Sequence, residues 1–541
     1  MAITEVFNSL PTTLYISLFI LIPFLPLLHD FCLWYRMPPG PRPLPILGNK
    51  HQIPKTSPWL QFEQWSRTYG PIFTLWIGRK PTIIISDPVI ATELLEKRSN
   101  KYSSRPRMVA MGEIYWDNAS ILVQPYGKEW LIRRKLLHQG LTPKALRLYK
   151  PVQTAEASKL CAQLLERPKE YEKLIERFTS SIVFSVSYGH RIDSLNAEVI
   201  RQRFEFMQYA ASLNVPGKYL VESFPILKHV PAILAPWKRE IREHGAREAA
   251  ANMALVDLVK GDLERGKKEG IEVPDSLCKL LLEMKEKEHI PLSDRDFSYI
   301  PASLFGAGSD TTASTLCTAI LALVTHPETL KTAQQELDAI IGDSRTPTFD
   351  DEPSLPYLRA LVKEVLRWRP VAVLGGTPHA STEDDVYQGY YIPSGTTILG
   401  NSWAINLNPE YYPNPHLFDP TRFLDTTLAT KSKNRSHPEL GKSHPSKSGH
   451  SSFGWGRRIC PGADLAANSL FIALGKVVWG FEIKGVEGRE YDTFAYTQGF
   501  NIRPQKFECE IRVRSERHRE VLMRELGDAE AVLERFSAFG E

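Results

Sequence analysis

Cysteine is scarce in this sequence, and its occurrences are scattered along the chain. The six cysteines stand at positions 32, 161, 278, 317, 460 and 509, and no two of them form a C-x-x-C pair. This distribution argues against a zinc site and a disulfide framework, and it is typical of a protein in a reducing compartment. The chain also has no large excess of positive or of negative charge. The net charge of +4 gives no support for nucleic-acid binding.

The first residues form a long apolar stretch, because no charged residue occurs from Phe7 to Leu28. The stretch is long enough to cross a bilayer, although Pro23 and Pro26 are expected to bend it. A cleaved signal peptide begins in a similar way, but here only Glu5 precedes the apolar run and no small-residue cleavage site follows. We therefore expect residues 1–36 to be a retained membrane anchor. Basic residues after it favour a cytoplasmic location for the rest of the chain: Arg36, Arg42, Lys50 and Lys55.

Residues 37–50 are rich in proline, with the run PPGPRPLP from Pro38 to Pro45. Each proline fixes its φ angle and removes a backbone donor, so this segment is predicted to be a stiff, non-helical hinge.

One cysteine, Cys460, stands in an unusual stretch that reads FGWGRRICPG from Phe453 to Gly462. An apolar run with helical spacing follows from Ala463. Glycines let a backbone approach a flat group closely, and a helix N-terminus and nearby arginines favour a cysteine thiolate. These features indicate a thiolate that binds a ligand from a loop. A buried cysteine in a turn is the alternative.

This stretch matches the pattern F-x-x-G-x-R-x-C-x-G and resembles the cysteine loop of the cytochrome P-450 superfamily of haem-thiolate enzymes. The resemblance implies that the Cys460 thiolate is the axial ligand of the iron of haem b (iron protoporphyrin IX). It also implies that the thiolate donates electron density that favours O–O cleavage. Phe453, Arg458 and Gly462 are then expected to contact the haem.

A second match lies in an apolar helical run predicted over residues 293–325, which contains FGAGSDTT from Phe305 to Thr312. Glycine inside a helix costs up to about 1 kcal/mol relative to alanine, so these glycines need a reason. One interpretation is close helix–helix contact at the glycines, with Asp310 paired. The other, which we prefer, is that small residues leave room for dioxygen and that Thr311 hydrogen-bonds it in a local kink. The run resembles the A-G-x-D-T-T signature of the same family, whose acid and alcohol deliver protons. Pro301 departs from that pattern and predicts a disturbance in the first two turns.

Three further motifs resemble those of the family and occur in the expected order. Trp130 and Arg134, four residues apart on a predicted helix, share a face and are expected to meet a haem propionate. Glu364 and Arg367 form an E-x-x-R pair, and Arg422 lies in a run that resembles F-x-P-x-R-F. The resemblance implies that the last three residues are structural.

Two groups of residues between these motifs are assigned by the same resemblance. His379 is a candidate partner for a propionate, and a free surface histidine is the alternative. Residues 371–376 are expected to line the substrate pocket. The candidate pocket residues are Ala307, Val373, Leu374 and Phe500.

The fold class implied is mainly α with small β-sheets, preceded by one N-terminal transmembrane helix. The catalytic domain is expected to span residues 51–511, with 512–541 as a charged C-terminal extension that forms a solvated helix. Residues 145–290 are predicted to be largely helical, and residues 425–452 a mobile surface loop. Strands are predicted at Ile72–Ile77 and Thr82–Ser86, and a strand pair is predicted to turn at Pro393–Gly395.

The activity implied is that of a membrane-anchored monooxygenase that inserts one oxygen atom of O2 into a small hydrophobic organic substrate. The alternatives are a haem-thiolate isomerase or peroxide-rearranging enzyme, and a non-catalytic haem-binding protein. The amino-acid sequences of residues 304–314, 383–393 and 452–462 resemble those of filamentous-fungal enzymes of secondary metabolism, such as the O-methylsterigmatocystin oxidoreductase group. That likeness names no substrate.

The chain has no flavin or nicotinamide domain, so electrons are expected from a separate NADPH-dependent flavoprotein, the cytochrome reductase. Arg133, Lys135 and Arg457 are candidates for contact with its acidic surface, with ordinary solvated charge as the alternative. The expected location is the endoplasmic reticulum membrane, with a single span and the catalytic domain on the cytoplasmic side.

Overall fold

The structure is a computed structural model that describes residues 25–214, 218–424 and 441–539. The described residues are mainly helical, with small β-sheets at the periphery, as the sequence predicts. The α-helices, numbered in chain order, are α1 Leu25–Arg36, α2 Pro58–Tyr69, α3 Pro88–Ala91, α4 Ser99–Tyr102, α5 Lys128–Gln139, α6 Pro143–Glu166, α7 Tyr171–Tyr188, α8 Glu198–Leu213, α9 Pro236–Glu269, α10 Leu277–Lys287, α11 Asp294–Thr325, α12 Pro327–Ile340, α13 Pro356–Trp368, α14 Ser402–Asn406, α15 Ala463–Gly480 and α16 Glu516–Leu533.

The strands are short and form separate sheets. In chain order they are β1 Ile72–Ile77, β2 Lys80–Ile85, β3 Arg191–Ile192, β4 His379–Ala380, β5 Asp385–Tyr387, β6 Tyr390–Ile392, β7 Thr397–Gly400, β8 Phe481–Gly485, β9 Cys509–Val513 and β10 Ala538–Phe539. The largest sheet has the order β1-β2-β7-β4, and the pairs β5–β6, β8–β9 and β10–β3 complete the set in the described residues.

Shorter helical turns connect these elements. Segments of π-helix run over Thr92–Lys97 and Val109–Tyr115. Turns of 3-10 helix occur at Pro168–Glu170, Leu220–Glu222, Pro225–His229, Ala232–Leu234, Phe349–Ser354, Pro420–Phe423 and Gly456–Arg458.

The prediction of strands β1 and β2 is confirmed: they pair antiparallel, with Ile72 opposite Ile85. The chain does turn at Ser394 and Gly395, but the strand pair predicted to meet across this turn is wrong. The strands that flank it, β6 and β7, belong to different sheets, and β6 instead forms a hairpin with β5. Gln388 and Gly389, both with positive φ, make that hairpin turn.

Helix α11 lies in the interior of the helical body and packs against α5, α7, α9, α13 and α15. It is apolar on nearly every face, as a fully buried helix must be, and Ser293 caps its first turn by accepting the N–H of Asp296. Pro301 is buried within the helix and does not interrupt it, so the predicted disturbance is absent. The middle of the chain is largely helical, as predicted, through helices α6 to α10.

The C-terminal extension is not a solvated helix, and that prediction is wrong. Helix α16 packs against α6, and its buried residues belong to the main hydrophobic core: Val521, Leu522, Ala529 and Leu533. Glu525 forms an ion pair with Lys476, which is buried in α15, at 2.8 Å. Strand β10 then pairs parallel with β3, and the Phe539 ring meets that of Phe184 edge-on at 5.4 Å. The extension is therefore an integral part of the folded body.

The predicted anchor lies mostly outside the described residues, because the structure begins at Leu25. Helix α1 carries a row of exposed apolar side chains at Leu25, Leu28, Phe31 and Tyr35. Within residues 25–214, 218–424 and 441–539, no helix is both long enough and apolar enough to span a bilayer.

The proline-rich segment is non-helical, as predicted, and it packs onto the sheet. The N–H of Thr74 in β1 donates to the carbonyl of Pro39 at 3.0 Å. Of the predicted loop 425–452, residues 425–440 lie outside the described part. The rest is held in place, with His450 buried and the N–H of Ser451 donating to Asn406.

Candidate active site

The loop before α15 is shaped by glycines and closed by one backbone hydrogen bond. Gly454 and Gly456 have φ angles of 76° and 55°, which favour glycine. A Cβ on Gly456 would also overlap the carbonyl oxygen of Leu95. The N–H of Cys460 donates to the carbonyl of Phe453 at 2.8 Å, which fixes the loop just before α15 begins.

Cys460 has an accessible side chain, whereas Cys161, Cys278 and Cys317 are buried in the core. Burial by the surrounding loop raises the pKa of the Cys460 thiol, while the N–H of Gly462 and the charge of Arg134 act in the opposite direction. Since α15 starts three residues later and packs against α11, the loop is tied to the helix that carries Asp310 and Thr311. A thiol that is enclosed by its loop and still accessible can bind a ligand in the space beside it, which we call the hollow.

The middle of α11 has its accessible side at Ala307, which is exposed although most of the helix is buried. Thr311, one turn later on the same face, is half-buried. The Cβ positions of the two glycines point elsewhere. A Cβ on Gly306 would overlap Arg203 of α8, and one on Gly308 would overlap Val183 of α7. The glycines therefore allow close contact with neighbouring helices, as the first interpretation requires, while the room for dioxygen stays a prediction.

Asp310 is paired, as that alternative interpretation required. Its Oδ1 lies 3.1 Å from Nη2 of Arg503, and its Oδ2 accepts a hydrogen bond from Asn501 at 3.1 Å. The Thr311 hydroxyl donates to the carbonyl of Ala307 at 2.8 Å. Such a bond to the carbonyl four residues back often bends a helix, but α11 continues through this point without a break.

Three arginines converge on the cysteine loop without an acidic partner within the described residues. Arg134 donates to the carbonyl of Ile459 at 2.7 Å, and Arg458 donates to Ser103 and Gln124 carbonyls, both at 2.7 Å. Arg105 is buried and donates to the carbonyl of Thr377 at 2.7 Å. Burial, followed by the charges of Arg105 and Arg134, lowers the pKa of Arg458 to about 8. Unpaired, mutually repelling cations of this kind call for an anionic ligand.

Trp130 contributes to the same cluster from α5. The guanidinium of Arg458 lies 4.2 Å above its ring, and its buried indole N–H has no hydrogen-bond partner in the described part of the chain. An orphaned donor beside three arginines fits the two carboxylates of a haem, so these residues match the group that the sequence predicts. Arg105 was missed at the sequence level, because the segment from Tyr102 to Pro106 carries no motif that separates it from an ordinary loop.

His379 is buried in β4, so it is not a free surface histidine. Its Nδ1 donates to the carbonyl of Tyr102 at 2.8 Å, and burial, reinforced by the charge of Arg105, lowers its pKa to about 3. The ring is therefore neutral at physiological pH. Its closeness to Arg105 places it beside the cationic cluster.

Glu364 and Arg367 form a fully buried pair on α13, with two hydrogen bonds of 2.6 and 2.7 Å. Glu364 also accepts the backbone N–H of Asp419 at 2.8 Å, and Arg422 lies 3.7 Å away. Arg367 donates to the carbonyl of Asn406 at 3.0 Å. The three motif residues are thus brought together and join α13 to the segment before the cysteine loop.

The candidate pocket residues differ in accessibility. Ala307 and Phe500 are exposed and Leu374 is half-buried, whereas Val373 is 2% exposed and packs in a cluster with Trp403. Phe500 precedes Asn501, the partner of Asp310, and therefore lies next to α11. Val373 does not present its side chain to an accessible surface.

Of the cations expected to face a reductase, Arg133 is buried and paired with Asp296 at 2.8 Å, so it cannot meet a partner surface. Lys135 and Arg457 are exposed.

Comparison with known proteins places these features in one family. The family model for Cytochrome P450 matches residues 38–511 of the chain. The chain is 37% identical over 482 residues to cytochrome P450 monooxygenase 58 of Postia placenta, covering 88% of each protein. It is 37% identical over 448 residues to cytochrome P450 monooxygenase fogE of Aspergillus ruber, covering 83% of this chain and 80% of the relative. It is 33% identical over 512 residues to cytochrome P450 monooxygenase verL of Clonostachys rogersoniana, covering 91% of each.

Proposed function

Since the chain belongs to the cytochrome P450 family, we propose that it inserts one oxygen atom of O2 into a small hydrophobic organic substrate, with electrons from a separate NADPH-dependent reductase. Its relatives are named monooxygenases, and the chain is an oxygen-incorporating oxidoreductase that uses haem. A role in fungal secondary metabolism is proposed because the sequences of residues 304–314, 383–393 and 452–462 resemble those of fungal enzymes of secondary metabolism.

The observation that carries the proposal is the set of groups around the cysteine loop. One accessible thiol, that of Cys460, stands beside guanidinium groups with no acidic partner among the described residues. The Cys460 thiolate would hold the iron of a haem bound there. The haem carboxylates would be held by Arg105, Arg134 and Arg458 and by the indole N–H of Trp130.

The haem, when bound, supplies an iron centre that activates dioxygen, and a thiolate ligand donates electron density to that centre. The chain contributes the proton supply. The hydroxyl of Thr311 faces the accessible side of α11, and it can donate a proton into the hollow once it releases the carbonyl of Ala307. Asp310 then takes up a proton from water and passes it to the Thr311 oxygen, which restores the hydroxyl, and Arg503 keeps the Asp310 carboxylate in place. Phe500 and Leu374 exclude water and contact the apolar part of the substrate.

The reductase contact is proposed for the exposed Lys135 and Arg457, on the side of the molecule that carries α5 and the cysteine loop. Exposed cations steer an acidic partner and affect the rate of association more than the final affinity. Raising the salt concentration is therefore expected to slow electron transfer.

Membrane attachment in the endoplasmic reticulum is proposed for residues 1–36, with the catalytic domain on the cytoplasmic side. Supporting observations are the uncharged run from Phe7 to Leu28 and the exposed apolar row of α1 that continues it. Deleting residues 1–36 is expected to release the protein from membranes and to leave haem binding intact. A truncated protein that still sediments fully with membranes would require a second attachment site, and the exposed apolar residues Phe224, Ile226, Ile233 and Leu234 are then the first to replace.

The experiment that tests the function uses the full chain and the ferrous–carbon monoxide spectrum. The wild type is expected to show the red-shifted Soret band of a thiolate ligand, and Cys460→Ser is expected to lose it. Cys509→Ser, at a partly buried cysteine in β9, is the matched control. The same band in Cys460→Ser would mean that another residue is the ligand. Oxygen-dependent NADPH consumption with added reductase then separates a monooxygenase from an isomerase, which needs no external electrons.

A further inference from the structure

Arg203 of α8 reaches into the helical body and rests on Gly306 of α11. A Cβ at Gly306 would overlap the Nη2 atom of Arg203, so the guanidinium occupies the volume that any other residue at 306 would need. The side chain of Arg203 is 16% exposed, which is unusual for an arginine on a peripheral helix. The guanidinium of Arg203 therefore lies directly against the backbone of α11 at Gly306.

The position of this cation relative to the hollow follows from the chain geometry. Gly306 immediately precedes Ala307, the exposed residue on the accessible side of α11. Because consecutive Cα atoms are about 3.8 Å apart, Nη2 of Arg203 lies within about 7 Å of the Cα of Ala307. The guanidinium thus lies against the same turn of α11, about 100° around the helix axis from the side chain of Ala307.

Most of the hydrogen-bonding capacity of Arg203 is unused in the described residues. Nη1 donates to Glu248 of α9 at 3.0 Å, whereas Nε is buried without a partner and Nη2 makes no hydrogen bond. A guanidinium has five N–H donors, and buried donors are almost always satisfied. Within the described part of the chain the buried Nε–H therefore lacks an acceptor, and the two N–H groups of Nη2, which are not fully buried, are free to bind one.

Other hydrogen-bond donors near Glu248 also lack an acceptor in the part of the chain that the structure describes. Glu248 is 5% exposed and accepts the indole N–H of Trp116 at 2.8 Å in addition to Arg203. The hydroxyls of Tyr115 and Tyr299 are buried without a hydrogen-bond partner among the described residues. Burial raises the pKa of both tyrosines, and the charge of Glu248 raises it further, so both hydroxyls keep their protons and can donate.

The charge balance decides which kind of acceptor fits. Arg203 and Glu248 neutralise each other, so the cluster offers donors but no net positive charge. A carboxylate placed beside Arg203 would also lie near the carboxylate of Glu248 and would be repelled. A carbonyl or hydroxyl oxygen would satisfy the free donors without that repulsion.

We propose that Arg203 is a specificity-determining residue that binds an uncharged oxygen acceptor of the substrate, a ketone, amide, ester or hydroxyl oxygen, at the side of α11 marked by Gly306. The inference rests on the proposed function, because it assumes that the hollow beside Ala307 receives the substrate. The apolar remainder of the substrate then extends towards Leu374 and Phe500. A purely structural role, in which the Arg203–Glu248 pair only joins α8 to α9, is the competing explanation.

The experiment measures the preference for a ketone over the matching hydrocarbon. The probes are diphenylmethane with benzophenone, and cyclododecane with cyclododecanone, and diphenylacetate serves as the anionic analogue. Dissociation constants of the haem-loaded full chain are measured by calorimetry and by the ligand-induced shift of the haem spectrum. The ratio of the hydrocarbon and ketone dissociation constants is compared between proteins, since a general loosening of the fold cancels in this ratio.

The main variant is Arg203→Leu combined with Glu248→Gln, which removes the guanidinium without leaving a buried unpaired charge. Gly306→Ala displaces the guanidinium while keeping the arginine, and Arg203→Lys keeps a charged donor. Arg201→Leu is the matched control, since Arg201 lies two residues away on the exposed side of α8.

The wild type is expected to bind a ketone about tenfold more tightly than its hydrocarbon, the effect of one hydrogen bond from a charged donor. The ratio is expected to fall to about one in the double variant and in Gly306→Ala, to recover partly in Arg203→Lys and to stay unchanged in Arg201→Leu.

An unchanged ratio in the double variant, or a wild type without a ketone preference, would overturn the inference. Diphenylacetate bound more tightly than benzophenone would overturn the choice of an uncharged acceptor. The carbon monoxide band identifies the cause of a failure. If the band is intact, only the inference has failed, whereas a wild type without the band contradicts the proposed function itself.

Discussion

The guanidinium of Arg503 lies 3.1 Å from the carboxylate of Asp310 and at the same time binds Glu176 of α7. Arg503 lies in the segment between β8 and β9, so this one cation connects α11, α7 and a distant part of the chain. Asn501 holds the other oxygen of the Asp310 carboxylate. This carboxylate is therefore positioned by residues that the family signature does not contain.

Replacing Arg503 by leucine is expected to lower the product formed per NADPH by about tenfold, because a relay that loses its geometry loses part of its 10²–10⁴-fold contribution. Arg503→Lys should retain most of the coupling, since it keeps a cation beside Asp310. The measurement is NADPH consumed against product formed across a pH series. Arg489→Leu, at an exposed pair with Glu508, is the control, and equal coupling in Arg503→Leu and this control would contradict a positioning role.

Thr311→Ala is expected to keep haem and substrate binding while diverting electrons to hydrogen peroxide, because the hydroxyl at the accessible side of α11 is lost. The loss of product per NADPH should be about 10²-fold. Peroxide released and product formed are measured together. Thr325→Ala removes a comparable hydroxyl that bonds the carbonyl four residues back, but at the end of α11, and it should remain coupled. If Thr311→Ala is coupled as well as this control, the proton route lies elsewhere.

Glu364→Ala and Arg367→Ala are each expected to yield little haem-loaded protein. Both side chains are fully buried, so removal of one leaves the other as an uncompensated charge, a loss of about 3–5 kcal/mol. The free energy of unfolding and the haem content of purified protein are the measurements. Arg517→Ala breaks an exposed pair with Glu520 and should change stability by less than about 0.5 kcal/mol. A Glu364→Ala protein with full haem that lacks only turnover would rule out the structural role.

His450 predicts how stability depends on pH. It is 3% exposed, and burial, reinforced by the charges of His444, Lys363 and Arg367, lowers its pKa to about 3. In the unfolded chain a histidine has a pKa of about 6.5, so between these two values only the unfolded state binds the proton. The free energy of unfolding should therefore fall by about 1.4 kcal/mol per pH unit from this residue as the pH drops below about 6.5.

The test for His450 compares the pH dependence of urea unfolding in wild type and His450→Gln, which should have the shallower slope between about pH 6.5 and pH 5. Replacement of the exposed His51 by glutamine is the control and should leave the slope of the wild type unchanged. Equal slopes in wild type and His450→Gln would show that His450 is protonated in the folded protein.

The parts of the fold that the sequence predicts are those with a local pattern. Strands β1 and β2 and helix α11 follow from β-branched runs and from a long apolar run, and their capping residues mark where they start. The C-terminal helix was misjudged because its core-facing row, Val521, Leu522, Ala529 and Leu533, stands among many charged residues. A narrow apolar row is equally compatible with a solvated helix, and only the packing partner distinguishes the two.

In the candidate site as well, residues in short motifs can be predicted from the sequence, whereas their partners from distant parts of the chain cannot. Cys460, Thr311 and the Glu364–Arg367 pair are recognisable from short motifs, and the structure adds what surrounds them. The reason for Gly306 is Arg203, which stands on α8 far away in sequence, and the partner of Asp310 is Arg503. Arg105 likewise reaches the cysteine loop only through the fold. Such partners depend on tertiary contacts that no local pattern encodes.

The late position of α16 has a consequence for how the protein is made. Helix α6 buries its apolar face against α16, which follows it about 370 residues later in the chain. At roughly 5–20 residues per second, a ribosome needs about 20–70 s to produce this partner. Throughout that interval the part of α6 that α16 covers remains open to chaperones or to other nascent chains, although α7, which follows α6 directly, covers another part. High-level expression is therefore expected to benefit from added chaperone capacity. A premature stop codon even within the last thirty or so codons should send the product to degradation.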